Sequence, residues 1–208
     1  MMSKNLKIDF SETKQDRSKK TLDDLLQAAF ELVEAADPNA FTSRTLATKA
    51  GYAKGTLTKR LGPIENVFLW AIAKGRDIKS HQAASDIAQF DPKLTVHDFV
   101  ETFVDSAFGH INATTAKVMQ FYDQRYTRLH GLTTDYFDWI NVFVEPYLEM
   151  CQRNESGTFR VILKDEARLM FKVIHTLVER PFATDDPIAG TTEHRRIAIE
   201  SISKLLAK

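Results

Sequence analysis

Apolar residues recur along this chain at intervals of three and four, the spacing that lines one face of an α-helix. A first stripe, Leu22, Leu25, Leu26, Ala29, Leu32 and Val33, runs up to Asp37-Pro38. There a helix must stop, because proline has no backbone N–H to donate and disfavours a helical residue before it. Two short helix signals follow. Thr42 is placed to cap a helix whose inner side is Leu46, Ala47 and Ala50, and Gly51 supplies the backbone angles of a turn. A second helix from about Ala53 to Leu61 has Leu57 and Leu61 at i, i+4 as its inner stripe. Its opposite side carries Lys54, Thr56, Thr58 and Lys59.

The remaining periodicities are also helical. Gly62-Pro63 opens a long helix with Val67, Phe68, Ala71 and Ile72, running to about Ala88 before Asp91-Pro92 breaks the chain. Thr95 and Asp98 have capping-box spacing, and Val96, Phe99, Val100, Phe103, Val104, Ala107, Phe108 and Ile111 continue in register. A sixth helix from about Thr114 carries Val118, Met119, Tyr122, Tyr126 and Leu129 and ends at Gly131. A seventh from about Thr134 carries Tyr136, Phe137, Ile140, Val144, Tyr147 and Leu148, with Pro146 expected to kink it. Two more follow, Lys164 to Arg180 (stripe Ala167, Met170, Val173, Ile174, Leu177, Val178) and Thr192 to Leu206 (Ala198, Ile199, Ile202, Leu205, Leu206). The predicted fold class is all-α, with about nine helices: a polar, disordered tail (1–16), a three-helix helix-turn-helix unit (17–62) and a helical body (63–208).

Charge sharpens this picture. The chain has 28 Lys and Arg against 28 Asp and Glu. From Pro38 to Ile64, however, there is no acid, where average usage would put roughly three or four. Arg44, Lys49, Lys54, Lys59 and Arg60 all fall in that window. A basic, acid-free segment of helix-turn-helix size in a neutral chain is the electrostatic footprint of a surface that meets phosphates. The plain alternative is a solvated basic face. A helix held on one side by leucines and presenting Lys and Thr on the other fits the major groove of DNA.

Leu25, Ala28, Ala29 and Leu32, then Ala50, Gly51, Gly55, Thr56, Leu57 and Glu65, stand in one register. Over about residues 18–70 the chain thereby resembles the N-terminal domain of TetR-family transcriptional regulators. The resemblance implies a DNA-binding head in which Thr42, Arg44, Ala53, Lys54, Gly55, Thr56, Thr58, Lys59 and Arg60 meet a double-stranded operator. It also implies a body that binds a small-molecule effector, a homodimer built through the last two helices, and repression relieved when an apolar or aromatic effector binds. The chain departs from the family pattern at named points. Ala53 stands where a Ser is frequent, Thr58 where an aromatic is, Leu61 where a Phe is, Ile64 where a Lys is, and Asp37 where a Gly is. These changes weaken the expected grip on the phosphate backbone, which Lys59 and Arg60 are placed to restore. They keep open a second reading, a helical ligand-binding or interaction protein of the same fold with weakened DNA binding.

Aromatic residues crowd the body, and most such stripes are simply core. The segment Tyr136, Phe137, Trp139, Ile140, Phe143 is apolar on more than one face, a surplus that a cavity or a partner would take up. Candidate ligand contacts are Phe103, Tyr122, Trp139, Phe143, Met170 and His175, with Gln120, Asp123 and Asn141 as further polar groups.

Catalysis has little support in the residues. Cys151, the lone cysteine, has no neighbour that would lower its pKa, and it has no second cysteine for an internal disulfide. There is no His-Glu-x-x-His, no His preceded by an acid at i−3, and no Gly-rich phosphate loop. His97-Asp98 and Glu193-His194 are adjacent pairs that point to different sides of a helix, poor geometry for chelation. No cofactor or metal is expected, and an enzyme using the aromatic body is the third alternative. No apolar run approaches the roughly 18 residues that span a bilayer, and the opening MMSKNLKIDF has no signal-like apolar core. A cytoplasmic location without a membrane partner is expected.

Overall fold

The computed structural model describes residues 16–35, 37–111, 113–130 and 134–208; side chains 16–18, 38, 113–117, 119, 123, 130 and 134–138 lie outside that description. The tail expected over 1–16 also lies outside the described residues, except that Asp16 opens the first helix. The described residues form nine α-helices: α1 (Asp16–Glu34), α2 (Ser43–Ala50), α3 (Lys54–Leu61), α4 (Ile64–Ala88), α5 (Val96–His110), α6 (Ala113–His130), α7 (Val144–Arg153), α8 (Lys164–Ala183) and α9 (Thr192–Leu206). Short 3-10 helices cover Pro38–Ala40 and Thr134–Phe143. The chain is all-α, as its periodicity requires; a single isolated bridge, Phe159 to Ala207, is the only strand-like pairing among the described residues.

The chain packs as two compact units, Met1–Asp77 with Lys117–Asp135, and Ile78–Ala116 with Tyr136–Lys208. In the first, α1 packs on α2 and α3. Leu25, Ala28 and Ala29 of α1 are buried, as are Leu46 and Ala47, Leu57 and Leu61, and Val67 to Leu69 with Ala71 and Ile72 of α4. Phe41 meets Phe68 edge to face at 5.2 Å. A side chain at Gly75 would come within 3.3 Å of the Phe30 ring, so glycine is what lets α4 lie this near α1. On the α6 side of this unit, Arg76 lies over the Tyr122 ring at 4.8 Å. Arg125 lies over Phe68 and Phe121. Both Arg125 and Arg128 pair with Glu65, in the first turn of α4.

The second unit is built on α5, α7, α8 and α9, with α5 against α9 and α7 against α8. Its core includes Val100, Val104, Ile140, Tyr147, Met150, Ala167, Ala198 and Ile202. The predicted capping box starts α5: the Thr95 side chain accepts from the Asp98 amide, and Asp98 accepts from Thr95 N–H at 2.8 Å. Donations from the Thr95 hydroxyl, 2.6 Å away, and from the Thr95 N–H hold the Asp98 carboxyl below its ordinary value. The chain end is pinned by hydrogen bonds from Arg160 N to Leu206 O (2.8 Å) and from Lys208 N to Thr158 O (3.0 Å).

One expectation needs correction. The seventh helix is not one kinked rod: residues 134–143 are 3-10 and the α-helix begins only at Val144. Pro146 explains the boundary. It has no N–H for the Val142 carbonyl and its ring crowds that carbonyl, so an α-turn through Val142 is lost. In the first turn of α7 the missing N–H has no consequence. On α8 the buried stripe is Ala167, Met170, Phe171, Ile174 and Val178. Val173 of the expected stripe is 47% exposed in the single chain, beside Leu169, 56% exposed one turn earlier.

Candidate nucleic-acid interface

The interface is built from local signals upward. Thr42 is extended and its side chain accepts from Thr45 N–H at 3.1 Å, capping α2. At the other end Gly51 takes φ +75°, and the amides of Gly51 and Tyr52 return to the carbonyls of Thr48 and Ala47. This crossed pair is a Schellman turn, and the left-handed angle it needs is cheap only for glycine. It reverses the chain within three residues and delivers it to α3.

Two further contacts fix the turn. The Tyr52 hydroxyl donates to an Asp24 carboxylate oxygen at 2.7 Å, joining the turn to α1. Lys49 pairs with Glu31 of α1 at 2.9 Å, and that ammonium holds the Glu31 carboxyl below its ordinary value. Lys49 is thus a tether rather than a free cation.

α3 is eight residues long, a rod of about 12 Å, which matches a major groove about 12 Å wide. Leu57 is fully buried and Leu61 nearly so (3% exposed). Burying each contributes about 1.5–3 kcal/mol, enough to fix which face turns outward. That outer face presents Lys54, Gly55, Thr58 and Lys59 exposed, with Thr56 and Arg60 half-buried at its edges. A side chain at Gly55 would meet nothing within 4 Å, so no internal packing demands glycine there. Ala53 is the N-cap and makes no side-chain cap bond, leaving the first amides of α3 uncapped by any side chain. Thr58 donates its hydroxyl to the Lys54 carbonyl at 3.2 Å, so its proton is engaged within the helix. Arg44 is exposed on α2.

The nine residues expected at this surface lie on α2, its Thr42 cap, α3 and the turn before it. Thr42 is part of the set, but its hydroxyl serves the α2 cap. Sequence patterns missed Asp24, Tyr52 and Glu31, because a contact between residues 28 apart leaves no periodic trace.

The ligand candidates divide between the units. In the second, Trp139 meets His175 edge to face at 5.1 Å and Phe143 at 6.1 Å, and Phe143 meets Phe103 at 6.4 Å. His175 pairs with Glu179 at 3.3 Å. Met170 is buried, with its sulfur 3.5 Å from an Arg160 nitrogen. Tyr122 belongs instead to the first unit, buried beneath Arg76 and 5.7 Å from Tyr126. Gln120 also lies in the first unit, Asn141 is exposed, and the Asp123 side chain is outside the described residues. Cys151 is half-buried beside Tyr147, and burial pushes its thiol up, away from a reactive thiolate. No helix among the described residues is long and apolar enough to cross a membrane.

No protein-family model matches the chain, and no curated protein matches it. Solved structures do. One assigned to the TetR family of transcriptional regulators, from Mesorhizobium loti, superposes with a TM-score of 0.65 at 12% identity, covering 93% of this chain and 100% of that one. A TetR-family transcription regulator from Marinobacter aquaeolei gives 0.52 at 17% identity, covering 92% and 98%. Identities this low speak for architecture alone: the chain has the helical fold of TetR-family transcriptional regulators.

Proposed function

We propose that this chain is a homodimeric DNA-binding transcriptional regulator whose hold on a palindromic operator is released by a small apolar or aromatic effector. The observation that carries the reading is the two-faced α3: Leu57 and Leu61 buried inward, Lys54 and Lys59 exposed outward, in a stretch without acids. Lys54, Gly55 and Thr56 are assigned to base edges, and Arg44, Lys59 and Arg60 to phosphates, joined by Thr58 once its hydroxyl turns away from the Lys54 carbonyl. Ala53 supplies no side-chain contact; its place at the start of α3 opens the first amides of the helix to a phosphate oxygen.

One helix of this length reads only a few base pairs, so a dimer is part of the proposal. Leu169 and Val173 expose an apolar strip on α8 that a second copy would cover, together with α9. The effector is assigned to the second unit, among Phe103, Trp139, Phe143, Met170 and His175. α4 carries its response, since residues of α4 belong to both units. The Glu65 pairs with Arg125 and Arg128 bind the start of α4, directly after the helix-turn-helix, to α6. A tenfold loss of operator affinity requires about 1.4 kcal/mol of differential effector binding. Repression in the cytoplasm is the expected setting.

The second reading, a ligand-binding or interaction protein with weakened DNA binding, is favoured by one specific observation: the Thr58 hydroxyl is engaged with Lys54 O instead of facing outward as a donor. Enrichment of bound duplexes from a random pool separates the two. The proposal predicts a palindrome with half-sites about 10 base pairs apart centre to centre, or a multiple of that. Failure to enrich any sequence would favour the second reading.

A further inference from the structure

We propose that His194 is a proton-released latch on the connection between α8 and α9. The geometry begins with Pro181, which lies inside the last turn of α8. In an α-helix the N–H of residue 181 would serve the Leu177 carbonyl, and proline has none. His194 fills that vacancy: its Nε2 lies 2.9 Å from Leu177 O. The other ring nitrogen is also engaged, because the Gly190 N–H donates to Nδ1 at 3.2 Å. An amide can only donate, so Nδ1 holds a lone pair and the proton sits on Nε2, the neutral tautomer that both bonds require.

The surroundings leave little slack. His194 is 3% exposed. Phe108 of α5 lies 4.7 Å from its ring and Phe182 of α8 lies 5.4 Å away, both tilted rather than face-on. Gly190 has φ +73°, and a side chain there would come within 3.0 Å of the Phe182 ring. The Thr191 cap, which accepts from the His194 amide at 3.1 Å, follows directly. The imidazole therefore pins residues 184–191 from the α9 side while repairing α8 on the other.

Proton uptake breaks one of the two bonds and spares the other. A proton on Nδ1 sets donor against donor at Gly190, and the ring becomes a cation in an aromatic enclosure. Nε2–H still reaches Leu177 O. Among the described residues no carboxylate is hydrogen-bonded to the ring to offset this. Of the charged or titratable groups on the elements around it, Asp105 and Glu101 of α5 pair with Arg195, Glu193 with Arg196 and Glu179 with His175, and His110 at the end of α5 has its Nδ1 2.6 Å from the Ser106 carbonyl. Asp186 in the loop accepts from Ile188 N–H. Arg180 is already cationic, Asp185 lies exposed in the loop, and neither donates to or accepts from the ring. The expected result is a loop that lets go at Gly190 under acid while α8 stays formed.

The test uses the full chain, lowering the pH stepwise from about 8 while following the Gly190 amide by hydrogen exchange and the protonation of the His194 ring nitrogens by NMR. Corrected for intrinsic exchange, Gly190 should lose about tenfold protection as the ring becomes imidazolium, the order of effect of one lost hydrogen bond. His194→Gln, whose amide can accept from Gly190 and donate to Leu177 without titrating, should hold its protection flat across the same range. If that variant does not fold, the wild-type titration decides alone. Unchanged Gly190 protection while the ring reports imidazolium would overturn the proposal. So would a ring that stays neutral until the whole chain unfolds, or equal acid release in His194→Gln.

Discussion

Tyr52 donates its hydroxyl to the Asp24 carboxylate across 2.7 Å, so the reversal between α2 and α3 is anchored to the helix beneath it. A turn held only by its own Schellman bonds fixes local backbone angles, whereas this contact also fixes where α3 points. Tyr52→Phe should cost the first unit about 1–2 kcal/mol, the worth of a part-buried bond to a charged acceptor. Urea unfolding or hydrogen exchange in α2 and α3 measures it. An unchanged midpoint would mean that the bond has no part in setting α3.

Glu65 is shared by Arg125 and Arg128, and its side chain is one-third exposed. Pairs this wet contribute less than about 1 kcal/mol each, so their value lies in joining α6 to the start of α4. Glu65→Gln is expected to speed amide exchange in α6 and in the first turn of α4 together, leaving α9 as it was. Faster exchange in only one of the two helices would contradict the link.

Val173→Asp tests the proposed dimer face. Val173 is 47% exposed on α8, so a carboxylate there is tolerated by a monomer but not by an apolar interface. Light scattering should report half the wild-type mass with helical circular dichroism retained. A folded dimeric variant would move the interface elsewhere.

The Asp98 cap gives a pH dependence with a definite sign. The Thr95 hydroxyl and amide lower the Asp98 pKa in the folded chain, so folding favours the ionised carboxyl. Its contribution is present above the ordinary carboxylate range near pH 4 and is lost as pH falls through the lowered folded value. Asp98→Ala should therefore reduce the thermal midpoint at pH 7 and much less at about pH 2. An equal reduction at both would mean that charge has no role in the cap.

What the sequence revealed and what it hid divide along one line, the range of the interaction. Leu57 and Leu61 four residues apart, Thr95 and Asp98 three apart, and Gly51 at a helix end are local devices, and each was readable because one turn of helix fixes its geometry. Partnerships such as Glu65 with Arg125, 60 residues away, have no periodicity to betray them. Val173 shares the apolar spacing of the α8 stripe yet is exposed in the single chain, because apolar spacing says a residue has an apolar neighbour, not whether this chain supplies it. Residues 134–143 were apolar enough for an α-helix; Pro146, with no N–H for the Val142 carbonyl, accounts for where α7 begins, and no apolar spacing marks the 3-10 stretch before it. Tyr122 was grouped with the body by its position in the chain, yet α6 from Lys117 onward packs with the first unit.

Fluorescence anisotropy of an enriched duplex, titrated with salt for wild type, Lys54→Ala and Lys59→Ala, bears most directly on the outward face of α3. Wild-type affinity should fall linearly with the logarithm of salt concentration, and removing the Lys59 phosphate contact should flatten that slope by about one for all sequences. Lys54→Ala should chiefly narrow the gap between the enriched duplex and a scrambled one. Binding that is absent, insensitive to salt, or unchanged by both substitutions would contradict the reading of α3 as the element that meets DNA.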